Sequence, residues 1–347
     1  MAYTTVNKSS LHYNGKLYTG NGSTQSITGI GFQPDWVWIK NRTSTYSHTT
    51  FDAQRGTTKR IMTNESVGEE TDAQTLTAFG ADGFSLGTNV AVNQNSTGHI
   101  AYNWKAGGST SSNSNGTITS TVSVNSTAGF SIVKWTGNGT NDATIGHGLG
   151  AAPKLIIVKN ITDDVNWRVY HESMSANHVQ FLNNNQSERD PSEQGNGYIK
   201  TVGTSTFSTY AGNTDDNGVN GNGDTMIAYC FAEKTGFSKM GTYTANNSSD
   251  GPFIYTGFRP TFFVAKTLDI AGNWHLYDDK RLGYNNQNRK FAVDTNDAEE
   301  TYAIDIVSNG IKIRTNNVSL NNHSGTLIYW AFGQSLVGTN NVVANAR

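Results

Sequence analysis

Tyr18 to Lys40 reads YTGNGSTQSITGIGFQPDWVWIK, and the stretch returns twice. Trp135 to Lys159 reads WTGNGTNDATIGHGLGAAPKLIIVK, and Tyr243 to Lys266 reads YTANNSSDGPFIYTGFRPTFFVAK. Each copy sets an aromatic residue and a threonine before a turn of small residues. A short apolar run follows, then a Gly-Phe or Gly-Leu, a proline, and an apolar strand ending in lysine. A spacing of about 110 residues means a repeated structural unit. In Trp36-Val37-Trp38-Ile39 consecutive residues are apolar, so both faces of this strand are expected to be covered.

The relation extends past the opening stretch. Glu69-Glu70-Thr71 recurs as Glu299-Glu300-Thr301, and GADGFSLGTN (Gly80–Asn89) as VSNGIKIRTN (Val307–Asn316). Each unit closes on an aromatic-rich strand: HIAYNW at His99–Trp104, IAYCFA, and LIYWAF at Leu327–Phe332. The first and last strands of a unit are therefore expected to pair. Apolar runs and alternating stretches recur every eight to twelve residues or so between turn signals, and no window sustains a helical period. The expected fold is all-β with negligible helix: three tandem repeats, each a two-layer β-sandwich, jelly-roll or lectin-like. The divisions are an N-terminal arm 1–16, repeat one 17–106, a Gly/Ser/Asn-rich linker 107–128, repeat two 129–234 and repeat three 235–347. The second half of the linker, TITSTVSV, has the alternation of an edge strand. Independent cores imply that Trp104→Ala, Tyr229→Ala or Trp330→Ala unfolds its own repeat first. A second arrangement also fits: three repeats closing a pseudo-threefold ring within one chain.

Composition narrows the function. Charged residues make up 15% of the 347, glycine contributes 37, and the formal net charge is −2. That balance gives no electrostatic case for nucleic acid or an anionic membrane surface. Asn, Ser, Thr and Gly supply the polarity, as strands and tight turns require. No run is long and apolar enough for a membrane-spanning helix, and the first residues lack the apolar core of a signal peptide. The single cysteine, Cys230, excludes an intramolecular disulfide and reads as a small core residue.

The candidates for chemistry resolve toward structure. His147, in Ile145-Gly-His-Gly-Leu149, reads as a tight turn, because no G-x-S-x-G nucleophile accompanies it. Glu69-Glu70 and Glu299-Glu300 are adjacent pairs whose members point to opposite faces of a strand. They cannot flank one glycosidic bond, and a structural role is expected instead, as a turn cap or in an ion pair with Arg55 or Arg281. Thr214–Asp224 has the composition of a calcium loop, but Ile227 stands where an EF-hand needs its twelfth, acidic ligand, and a solvated loop is expected. The TGNG turns lead to no Gly-Lys-Ser/Thr and no helix, so they are not phosphate loops. Tyr198, Phe207 and Tyr210 are of a type that stacks on sugars, yet their spacing fits packing. The eight histidines show no metal-ligand spacing. No catalytic residue, metal or cofactor is expected, and no binding residue is assigned.

The opening MAYTTVNK…LYTGNGSTQSITGIGFQPDWVWIKNR, with GFSIVKWTGNG…IGHGLGAAPKLIIVKN…NWRVYHE and MIAYCFAEKTGFSKMGTYT, resembles a domain family of tailed bacteriophages. The family is common in marine phages, including those of cyanobacteria, and its members are described as tail-fibre or other structural proteins. The resemblance covers nearly the whole chain; repeat three departs at Thr244–Asn247, TANN, where its first turn is expected to differ. It implies a non-enzymatic virion protein, assembled in the host cytoplasm, in a tail fibre or appendage with a role in host-surface attachment. The alternatives are a capsid decoration or head-fibre protein and a carbohydrate-active depolymerase. Implied partners are other virion proteins, further copies of the chain in a homotrimer, and a host surface glycan. The arm at residues 1–16, outside the repeat pattern, is the expected anchor.

Overall fold

The computed structural model describes residues 4–190, 197–211, 217–281, 285, 288–321 and 324–335. Repeat one supplies β1 (Tyr13–Thr19), β2 (Gln25–Thr28), β3 (Trp36–Asn41), β4 (Thr49–Asp52), β5 (Lys59–Met62), β6 (Glu70–Thr71), β7 (Leu76–Gly80), β8 (Gly83–Leu86) and β9 (Gly98–Trp104). They build a six-stranded sheet in the order β1-β9-β3-β4-β5-β6 and a three-stranded sheet, β2-β8-β7.

The middle of the chain supplies β10 (Ser111–Asn113), β11 (Ser120–Asn125), β12 (Phe130–Thr136), β13 (Ala143–Gly146), β14 (Leu155–Asn160), β15 (Arg168–His171), β16 (Tyr198–Val202), β17 (Thr206–Tyr210) and β18 (Thr225–Phe231). Its sheets run β10-β11-β12-β18-β14-β15 and β13-β17-β16. Single bridges, Val169 to Gln180 and Val179 to Arg189, stand in for the two outer strands of repeat one.

Repeat three follows with β19 (Ser238–Thr244), β20 (Phe253–Tyr255), β21 (Phe258–Thr267), β22 (His275–Asp278), β23 (Arg289–Ala292), β24 (Glu300–Thr301), β25 (Ile304–Val307), β26 (Gly310–Ile313) and β27 (Thr326–Ser335). Its sheets, β19-β27-β21-β22-β23-β24 and β20-β26-β25, reproduce the order of repeat one strand for strand. First and last strands pair in all three: Tyr13 lies opposite Trp104, Phe130 opposite Phe231, and Ser238 opposite Phe332. Among the described residues the only α-helix is the single turn Val90–Asn93.

The fold is an all-β sandwich in which each large sheet has two buried faces. Its outer face packs on the small sheet of the same repeat, around Ile27, Phe84 and Leu86, around Ile145, Phe207 and Cys230, or around Ile254, Ile311 and Ile313. Its inner face joins one central cluster that takes Trp36, Trp38 and Trp104 from repeat one, Phe130, Tyr229 and Phe231 from repeat two, and Phe262, Trp330 and Phe332 from repeat three. Rings meet across every junction. Trp36 stacks on Tyr229 at 4.2 Å, Trp104 meets Phe262 edge-on at 5.3 Å, and Phe231 lies 5.3 Å from Phe332. Every residue of β3 and β14 is buried as a result. The expectation of independent cores does not hold. The inner faces belong to no single repeat, because the row of Trp and Phe at these positions finds apolar partners in the neighbours as well as in its own repeat.

Two other expectations change with it. Residues 13–16 of the arm are the start of β1, and Val6 is buried in the central cluster, so the arm is part of the core. The linker is structured: β10 and β11 form a hairpin, and β11 extends the second large sheet by pairing along β12, as the alternation of TITSTVSV suggested. Gly107 has no room for a side chain there, since a Cβ would lie 2.8 Å from the Val124 nitrogen.

Candidate functional site

Three sets of polar contacts join the repeats. In the first, a side chain just before or at the start of the fourth strand reaches a backbone carbonyl of the neighbouring repeat. Trp167 Nε1 donates to Met62 O at 2.8 Å, Trp274 Nε1 to Phe181 O at 2.8 Å, and His48 Nε2 lies 3.1 Å from Ala292 O. In the second, main chains join: Glu69 N donates to Ile161 O, Glu188 N to Leu268 O and Glu299 N to Arg42 O, each at 2.9 Å. Both sets run two-to-one or one-to-two, three-to-two or two-to-three, and one-to-three or three-to-one, so the ring closes on itself.

The third set is an Asp-Arg-Tyr relay. Tyr229 Oη donates to Asp52 Oδ2 at 2.8 Å, and Arg55 Nε lies 2.5 Å from the same oxygen. Tyr102 Oη donates to Asp278 Oδ2 at 2.8 Å, with Arg281 Nε at 2.5 Å. At the remaining junction His171 takes the aspartate position and its Nε2 lies 3.2 Å from Tyr329 O. The glutamate pairs support this relay: Glu69 lies 3.5 Å from Arg55 and Glu299 3.8 Å from Arg281, the partners that their recurrence predicted.

Sequence reasoning missed the burial of the recurring lysine and the role of one recurring asparagine. The lysine ending each central strand is fully buried, and its ammonium is held by backbone carbonyls: Lys40 by Asn41, Ser44 and Asn296, Lys159 by Asn160, Asp163 and Val165, Lys266 by Asn185, Gln186 and Thr267. Burial lowers each to about 7, and nearby carboxylates of Asp297, Asp164 and Asp294 oppose that shift. Buried Asn93, Asn220 and Asn321 clamp the small-residue turns, receiving the backbone N–H of Asn21 at 2.9 Å, of Asn138 at 3.2 Å and of Asn246 at 2.8 Å. The third turn does not differ in shape. Asn247 holds φ 57 where Gly22 holds 67 and Gly139 holds 69, because asparagine tolerates the left-handed region better than most residues.

The other candidates fall into place as structure. His147 is buried, with Nε2 3.1 Å from Gly203 O and Nδ1 accepting from Leu149 N, and burial lowers its pKa. Phe207 is buried, and Tyr198 stacks on Tyr210 with ring centres 5.0 Å apart. Cys230 is buried, which pushes its thiol upward. In the Thr214–Asp224 loop, Thr214 to Asp216 lie outside the described residues, and Asp224 accepts from Asn160 Nδ2 at 3.0 Å. Among the described residues no group of three His, Cys, Asp or Glu is placed to hold a metal ion.

A cleft of about 460 Å³ opens to solvent where repeats two and three meet, lined among others by Lys154, Glu233, Ser238, Lys239, Tyr255 and Thr256. Lys154 Nζ lies 2.5 Å from Glu172 and 3.1 Å from Glu233, bonds that outweigh burial and raise its pKa. Glu233 also accepts from Met240 N at 2.7 Å, which ties the cleft wall to β19. Lys239 Nζ donates to Tyr255 O at 3.1 Å and sits 5.3 Å from the centre of the Tyr255 ring.

One family model, a domain of unknown function named DUF7483, matches residues 8–335. The chain belongs to DUF7483. The DUF7483 match spans all six sheets. No curated protein and no solved structure matches the chain.

Proposed function

We propose that the chain is a non-enzymatic structural protein of a tailed-phage virion, a tail-fibre or appendage component with a role in host-surface attachment. The observation that carries this reading is the closed pseudo-threefold ring. Threefold assembly is the usual geometry of fibres, and here one chain makes internally the junctions that three chains make by association. The inner faces are already used, so a homotrimer has only outer surfaces to build on. The groups with chemical potential, Glu69, Glu299, His48, His147, His171 and Cys230, are held in ion pairs, backbone bonds or the core. The same pseudo-symmetry favours a second reading, a decoration protein seated on a threefold position of the shell.

Labelled antibody or cryo-electron microscopy on intact particles separates these. Density at the tail supports attachment, and density over the shell makes the chain a decoration protein. Absence from the particle refutes both readings and returns attention to a depolymerase, which shortening of host polysaccharide by purified protein would reveal.

A further inference from the structure

Where the repeats differ at the junctions another contact takes over, so a departure from the pattern on the surface calls for a separate cause. The clearest departure is on β20. Ile27, Ile145 and Ile254 occupy one inward position in the three small sheets, each buried and each opposite a residue of the neighbouring strand, Phe84, Phe207 or Ile311. The flanking positions are the exposed Ser26 and Thr28 in repeat one, and in repeat two Thr144 and Gly146, which the segment around Asn113 and Thr117 covers. In repeat three they are Phe253 and Tyr255, which stay 48% and 53% exposed. Two large rings left half in water contribute little to folding, and the other repeats fold with small residues there.

We propose that the cleft between repeats two and three, which Tyr255 lines, binds a neutral oligosaccharide, with Phe253 two residues back on the same strand face. This deepens the attachment reading and rests on it for its biological meaning. Residues i and i+2 of a strand share a face and lie roughly 7 Å apart, so the two rings offer adjoining platforms for the C–H faces of consecutive sugars. The volume of about 460 Å³ is within the range of small-ligand sites. The lining supplies donors and acceptors together: hydroxyls of Ser238 and Thr256, the Glu233 carboxylate and the Lys239 ammonium. Its charges are balanced, with Lys154 held between Glu172 and Glu233 and Lys239 resting against Tyr255, which favours an uncharged, hydroxyl-rich ligand over an acidic one. A peptide added as a strand is disfavoured, since β20 is an edge of only three residues.

The test is titration of the purified full chain with maltohexaose and cellohexaose as neutral probes and a hyaluronan hexasaccharide as the acidic one, read by calorimetry and saturation-transfer NMR. At least one neutral probe is expected to bind at millimolar concentration, with saturation transferred from the protein to the sugar C–H protons. Tyr255→Ala is expected to weaken binding by at least about tenfold, while Tyr255→Trp retains it. Tyr255→Ala should melt like the parent, because the ring is half exposed. No response to either neutral probe, response to the acidic probe alone, or equal binding by Tyr255→Ala would each overturn the site. Particle localisation decides the attachment reading separately, so a virion protein without sugar response loses only this inference.

Discussion

Replacing Asp52 by alanine discriminates a shared core from three separate ones. Asp52 is fully buried, holds the buried Arg55 at 2.5 Å and receives Tyr229 Oη from repeat two at 2.8 Å. Removing one partner of a buried ion pair costs about 3–5 kcal/mol, because the guanidinium is left without its counter-charge. Unfolding entropy near 2.1 cal/mol/K per residue gives roughly 0.7 kcal/mol/K for 347 residues, so the melting temperature should fall by about 4–7 °C. Calorimetry should still show one transition, and hydrogen exchange should speed in β12, β14 and β18 as well as in repeat one. If Asp52→Ala proves too unstable to purify, Tyr229→Phe removes only the inter-repeat bond. It should cost about 1 kcal/mol, again with a single transition. Separate transitions, or faster exchange confined to residues 13–104, would refute the shared core and restore independent repeats.

Other outcomes follow from the same contacts. Lys40, Lys159 and Lys266 are lowered from 10.5 to about 7, and His99 and His171 from 6.5 to about 4, so in each window the unfolded chain binds more protons than the fold. Stability should therefore rise from about pH 4 to 6.5 and again from about pH 7 toward 10, a trend that thermal melts across pH would check. Tyr102 and Tyr229 are held well above 10.0 by burial, so above that pH the unfolded chain loses protons that the fold keeps, and stability should fall. Asn247→Val should cost about 1–2 kcal/mol by forcing a β-branched residue into the left-handed region, whereas Asn247→Gly should be nearly neutral in chemical denaturation. Light scattering at low concentration should give the mass of one chain, since the threefold junctions are internal; a trimer mass would show that the outer surfaces associate as well.

The strands, their pairing and the structural fate of the glutamates were legible because they depend on local pattern. Trp36-Val37-Trp38-Ile39 announces two covered faces, and Glu69 and Glu299 gain meaning by recurring beside Arg55 and Arg281. The shared core was not legible for a reason visible in the same strand. When both alternating sets are apolar, nothing in the period says whether the second set meets its own small sheet or a neighbouring repeat. Asn93, Asn220 and Asn321 were hidden by composition: one asparagine recurring after Val92, Val219 or Leu320 does not stand out in an asparagine-rich chain. The lysine after each apolar strand was visible as a motif, but its burial depends on carbonyls contributed by turns and, for Lys40 and Lys266, by another repeat. Tyr255 sits in a run, FIYTGF, that reads like core throughout, and only the pairing of β20 with β26 shows which residues face water.

Where the copies diverge bears on function more than where they agree. The inward substitutions are compensated in place. At the junction that lacks the Asp-Arg pair, His171 and Met174 replace Asp52 and Arg55, and Trp330 replaces the tyrosine, so charge, counter-charge and hydroxyl are absent together. A buried carboxylate without its arginine would cost several kcal/mol, so the members of that set can change only as a set. Phe253 and Tyr255 have no such counterpart. Lys239 rests against Tyr255 and the Phe253 ring lies over Gly310, yet both rings stay about half exposed. Divergence that the interior must balance preserves the fold. Divergence left exposed beside a polar cleft is free to serve a ligand, which is why the rim of β20, and not the more regular buried networks, is where recognition is assigned.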